Sequence, residues 1–151
     1  MREIKFRGKR KDNGQWVFGS YHKWITRQPS PIGDNLKPED IKDVIIIDSF
    51  ADWNMPRSMQ ATEIIPETLG QYIGKKDPTG REIYEGDIIK GFFDNSRAEK
   101  SIGRIEYDNC CFVVTLEFEY GQLWRTRFDI EDCEFLGNIH DNPELLEEVK
   151  E

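Results

Sequence analysis

The stretch Gln71–Lys90, QYIGKKDPTGREIYEGDIIK, reads as two short strands joined by turns. Asp77-Pro78-Thr79-Gly80 is a turn with a mechanism, because Pro presets φ, Asp bonds the local backbone and Gly supplies a left-handed residue. A second Gly-Asp turn in Ile83-Tyr84-Glu85-Gly86-Asp87-Ile88-Ile89 then feeds an apolar strand running to about Phe93. Gly70, Gly74, Gly80 and Gly86 serve turns or close approach. Ile73, Ile83, Ile88 and Ile89 are expected to fill core, and Tyr72 and Tyr84 to bury their rings while their hydroxyls reach polar partners.

Working toward the C-terminus, four further strands are expected near Ser101–Tyr107, Cys111–Tyr120, Gln122–Phe128 and Glu134–Ile139. Short strands at this spacing, divided by Gly, Asn and Asp, read as a small barrel or sandwich. Asn142 is placed to cap a short helix with Pro143 at its first position, where the missing N–H costs nothing. Leu145, Leu146 and Val149 share the face that would lie on the sheet.

Working toward the N-terminus, Leu69–Gly74 and Glu63–Ile65 read as strands. Residues 2–9 alternate, with Ile4 and Phe6 opposite Lys5, Arg7 and Lys9, which is the period of a half-buried strand. Lys11-Asp12-Asn13-Gly14 turns that strand into a hairpin whose return carries Trp16-Val17-Phe18, with Gly19 marking a bulge and Tyr21 and Trp24 further on. The segment 26–42 holds Pro29, Pro31 and Pro38 and few apolar residues, so it is expected to be irregular beyond a short helical turn near Pro38–Ile41. Val44–Ile47 is an apolar, β-branched run of strand length and is expected in the interior. Phe50–Gln60 has no regular pattern yet carries Phe50, Trp53, Met55 and Met59. Such apolar content requires cover, by the chain's own core or by a partner.

The 151 residues suit one domain or two small lobes, with a hydrophobic fraction of 37% and a charged fraction of 33%. Four Trp, five Tyr and nine Phe argue against disorder throughout. A formal charge of −8 works against sequence-independent nucleic-acid binding, which needs a surplus of Lys and Arg. No apolar run reaches the length of a membrane span, and MREIKFRGKRK lacks the apolar region of a secretory signal, so a cytoplasmic protein without membrane contact is expected. Three cysteines, two of them adjacent at Cys110 and Cys111 and the third at Cys133, form no disulfide framework and no zinc spacing; buried free thiols are the reading.

The residues that could carry chemistry do not assemble into a recognisable motif. His22 and His140 lie in no metal-ligand pattern, and no nucleophile elbow surrounds a Ser or Cys. Gly8-Lys9-Arg10 and Gly74-Lys75-Lys76 lack the spacing and the helix of a phosphate loop. Glu85 and Asp87 share one face of an extended segment, where acid and base chemistry could use them, but solvated surface is the ordinary state of such pairs. No cofactor is expected, and no enzymatic activity.

Three segments, REIKFRGKRKDNGQWVFG at 2–19, IIPETLGQYIGKKDPTGREIYEGDII at 64–89 and EFLGNIHDNPELL at 134–146, together resemble the YopX family, small proteins encoded mostly by bacteriophages and prophages. The resemblance implies a mainly β, β-rich α+β protein with an SH3-like barrel component, and it suggests self-association. The resulting expectation is a β lobe over residues 1–65 with an irregular insertion at about 26–60, then an SH3-like barrel with a C-terminal helix over 66–151, or one continuous domain. The expected role is a homo-oligomeric interaction module, with a host or phage protein as a further partner, using Phe50, Trp53, Met55 and Met59. The alternative is nucleic-acid binding by Lys5, Arg7, Lys9, Arg10 and Lys11, with Trp16, Tyr21 and Trp24 as stacking surfaces.

Overall fold

The computed structural model describes residues 3–49, 58–93, 100–118 and 121–147. The chain is mostly β and divides into two compact units, one holding Ile4–Gln71 and the other beginning at Tyr72.

In the first unit β1 (Phe6–Lys9), β2 (Trp16–Ile25), β3 (Ile41–Ser49) and β4 (Ser58–Glu63) form an antiparallel array in the order β4-β3-β2-β1. The hairpin between β1 and β2 closes where expected: Gly14, at φ +70°, donates its N–H to Arg10 O at 2.9 Å. Gly19 is not a bulge. The register runs unbroken to Phe6 opposite Gly19, and at Ser20 the strand passes to β3, with Ser20 opposite Ile46. A side chain at Gly19 would run into the carbonyl oxygen of Ile46, so glycine is needed for close approach of two backbones.

The expected insertion at 26–60 is regular over much of its length. Residues 26–40 are irregular apart from a 3-10 turn at Pro38–Asp40, but Ile41–Ser49 is a strand paired on both sides, and β4 is already in place at Ser58. The irregular part is tied down by charge. Arg27 reaches Asp34 at 2.6 Å and the buried Asp40 at 2.9 Å, while Asp40 also accepts the Lys37 N–H at 2.8 Å. Val17, Ile45 and Ile64 make the buried core of this unit, with Phe6, Tyr21, Ile47 and Leu69 packed on it. Ile64 forms a single bridge to Arg10 rather than continuing β4.

β5 (Gly70–Lys76) begins in the first unit, where Gly70 and Gln71 pair with Arg7 and Phe6. In the second unit it pairs with β6 (Glu82–Tyr84), placing Tyr72 opposite Tyr84 with ring centroids 5.5 Å apart. Five more strands follow, β7 (Asp87–Gly91), β8 (Ser101–Asp108), β9 (Cys111–Phe118), β10 (Gln122–Thr126) and β11 (Glu134–Asn138), in the order β10-β9-β8-β7-β11. Closure into an SH3-like barrel is not among the strand pairings of the described residues. Ile83, Ile89, Phe93, Ile105, Val114, Leu116, Ile130 and Cys133 form the core here. The expected helix is a single turn, α1 (Glu144–Glu147), with no fully buried residue. Asn142 contributes its carbonyl, which accepts the Leu145 N–H at 3.2 Å, and Val149 lies outside the described residues.

Candidate functional site

β1 brings the expected basic row together, but on aromatic rings rather than in open solvent. The Arg7 guanidinium is buried 4.7 Å from the centroid of Trp16, which also carries the Lys9 ammonium at 5.4 Å, and Lys5 sits 5.9 Å from the Phe18 ring. Of the rings expected to stack on bases, Trp16 is therefore occupied by the chain's own cations, whereas Trp24 is exposed. Arg10 is held by both oxygens of Asp12, at 2.9 and 2.6 Å, and Lys11 reaches Glu63 at 2.6 Å. Glu63 also meets Lys42 at 3.1 Å, and these two lysines hold its carboxyl below the ordinary range. Tyr21 is half-buried and donates its hydroxyl to Asp43 at 2.5 Å; burial, then this bond, pushes the phenol up to about 12.

Phe50, Trp53 and Met55 lie outside the described residues. Met59 is described and is 79% exposed on β4, a strand whose one partner among the described residues of the sheet is β3. The structure adds apolar surface that strand alternation did not reveal. Phe18, Trp24 and Ile25 are open in the first unit, and Phe118, Leu123 and Trp124 in the second. Leu123 and Trp124 are neighbours on one strand and so point to opposite faces, yet they are 47% and 46% exposed.

Glu85 and Asp87 do not form a solvated pair. Asp87 is fully buried, and its carboxylate accepts the Tyr84 N–H at 2.8 Å, locking the Tyr84–Asp87 turn, where Gly86 sits at φ +83°. Asp77 is spent in the same way: one oxygen accepts from Thr79 N at 2.9 Å, Thr79 Oγ at 2.6 Å and Arg81 N at 2.9 Å, with the Thr79 hydroxyl the main cause of its lowered pKa.

This turn and β11 line a groove of about 500 Å³ formed by Asp77, Pro78, Thr79, Arg81 and Cys133–Leu136. Arg81 lies over the Phe135 ring at 4.2 Å. The Cys133 thiol donates to Asp129 O at 3.1 Å, and burial, reinforced by Asp132 and Asp129, pushes it up to about 11, so at neutral pH it is a thiol rather than a thiolate nucleophile.

The expectation of three buried cysteines holds for Cys133 alone. Cys111 is half-buried, and Cys110 is exposed at φ +64° in the two-residue turn between β8 and β9. Both backbone residues of that turn, Asn109 and Cys110, need positive φ, which lifts Cys110 off the sheet. Among the described residues no three His, Cys, Asp or Glu side chains gather as a metal site, and no helix is long and apolar enough to cross a membrane.

On the polar face of the second unit's sheet, Glu106 accepts the Thr115 hydroxyl at 2.5 Å and meets Arg104 at 2.6 Å and Arg125 at 3.7 Å. Burial alone would raise this carboxyl, but the hydroxyl and the arginines outweigh it and hold the group low.

The family model described as YopX protein matches residues 5–147. A crystal structure of protein EF1440 from Enterococcus faecalis is similar over 97% of this chain and 99% of that one, at 21% identity and a TM-score of 0.52, a likeness of fold. No curated protein matches the chain.

Proposed function

We propose that this chain, which belongs to the YopX family, works by binding rather than by catalysis, as a homo-oligomeric interaction module of phage or prophage origin. The observation that carries the reading is the set of large apolar side chains left open on ordered strands, namely Phe18, Trp24 and Ile25 on β2, Met59 on β4, and Leu123 and Trp124 on β10. Apolar area on this scale is favourably removed from water when a partner covers it. The carboxylates of the site support the same view: Asp77 and Asp87 close turns, and Glu63 and Glu106 are held in ion pairs.

Nucleic-acid binding through Lys5, Arg7, Lys9, Arg10 and Lys11 is the weaker reading, because these cations lie on rings or against carboxylates. Size-exclusion chromatography with light scattering tests the preferred reading. A mass above the monomer at micromolar concentration is expected, and a monomer removes the claim. Anisotropy with labelled oligonucleotides at low salt, where phosphate contacts are strongest, is expected to show no binding.

A further inference from the structure

The five-stranded sheet of the second unit has two edges, and they are built differently. β11 is blunted: its register against β7 shifts between Phe135 and Gly137, it opens with the charged Glu134, and the Asp77–Arg81 turn lines a groove with it. A bulge and a charge are the usual protections of an edge against pairing with another chain.

β10 carries no bulge, and its one charge, Arg125, is drawn to Glu106 and Asp108 of its own sheet. All five of its residues stay in register with β9, from Gln122 opposite Phe118 to Thr126 opposite Val114, and among the described residues β9 is its one partner strand. Both of its faces are open and apolar at the centre, through Leu123 and Trp124.

We infer that β10 is the self-association edge of this protein: two copies pair their β10 strands antiparallel about a two-fold axis at Trp124, joining two five-stranded sheets into one. The inference rests on the proposed reading of the chain as a self-associating module and names the surface it uses. A second copy fits because the strand is complementary to itself in this register. Trp124 meets Trp124 of the partner, Gln122 meets Thr126, and Leu123 meets Arg125, so no like charges stand opposite each other. The register also extends what each copy has already begun. Phe118 stacks on Trp124 with centroids 6.4 Å apart, so the axis brings four rings together on one face. On the other face Arg125 is held 3.7 Å from Glu106 and 3.9 Å from Asp108, which fixes its stem for contact with Leu123 of the second copy.

The test compares the light-scattering mass of the unaltered protein with that of Leu123→Lys and Trp124→Glu, circular dichroism confirming that each variant is folded. Trp124→Glu sets two carboxylates against each other on the axis and Leu123→Lys sets a cation opposite Arg125 of the second copy, and each is expected to halve the mass. A second measurement does not rely on disruption. In a Cys110→Ser background, Trp124→Cys sets two sulfurs on the axis within disulfide reach, and mild oxidation is expected to give a covalent dimer, whereas Met59→Cys on the edge of β4 gives none.

If the unaltered protein is oligomeric but both Leu123→Lys and Trp124→Glu keep its mass, or if Met59→Cys cross-links as readily as Trp124→Cys, the β10 assignment is overturned while the self-association reading stands. If the unaltered protein is a monomer, both fall.

Discussion

The two units reach a fold by different means. Among the described residues, the largest buried apolar cluster from Tyr72 onward holds eight side chains, whereas that of Ile4–Gln71 holds three and the unit is stitched by polar contacts: Arg27 to Asp34 and Asp40, Tyr21 to Asp43, and Glu63 to Lys11 and Lys42. Burial contributes roughly 1.5–3 kcal/mol per large aliphatic side chain, while a partly exposed ion pair contributes about 0–1 kcal/mol. The second unit is therefore held mainly by apolar burial, and the first depends on a small core with many weak polar contacts around it.

The sharpest way to break the comparison is to cut both cores equally. Ile105→Ala and Ile45→Ala each remove a fully buried side chain and are expected to cost about 2–5 kcal/mol. Hydrogen exchange separates them. Ile45→Ala is expected to unprotect β2 and β3 outright, because two buried neighbours cannot hold that core, while Ile105→Ala lowers the melting temperature with β8 and β9 still protected. Equal loss of protection in both variants would abolish the distinction.

Next in size is Asp87→Ala, which takes the acceptor from a buried turn of the second unit and is expected to cost roughly 1–3 kcal/mol, read from urea unfolding. A cost near zero would mean that this unit rests on apolar burial alone, sharpening the contrast.

Acid comes third. Asp34, Asp40 and Glu63 of the first unit have folded pKa values below their ordinary ones, Asp34 and Asp40 through Arg27 and Glu63 through Lys11 and Lys42. A depressed carboxyl stabilises the fold fully above its unfolded value, roughly pH 4, and that contribution fades as pH falls through the folded value. Asp77 and Glu106 give the second unit the same sign of dependence. The first unit, with the smaller core, is expected to lose exchange protection first below about pH 4. Simultaneous loss would count against its reliance on charge.

The smallest effect is at Cys110. A side chain with Cβ at φ +64° costs about 1–2 kcal/mol relative to glycine, so Cys110→Gly is expected to raise the second unit's stability by up to about 1 kcal/mol without altering the first.

Much of the fold was legible because local chemistry dictated it. The Asp77–Gly80 turn, the hairpin at Gly14 and the strands from Ser101 onward lie where turn residues and alternation put them. The departures share a cause, since each depended on a neighbour distant in sequence. Gly19 reads as a bulge until Ile46 is seen against it, and Asp87 reads as surface until Tyr84 N–H closes on it. Arg7 joins a solvent-facing basic row by period but is buried beneath Trp16. For the interaction residues, apolar content near Trp53 was visible, whereas the openness of Trp124 was not, because alternation says which face a side chain takes and not whether anything covers that face.

What the amino-acid order determined by itself was the set of strands, their turns and the family, because φ preferences and the two-residue period act within a few residues of chain. Tertiary structure alone decided which edge stayed regular, which acids were consumed in turns and which rings were capped by cations. Those outcomes depend on side chains meeting across long stretches of sequence, where burial and pairing energies, rather than local propensity, choose the arrangement.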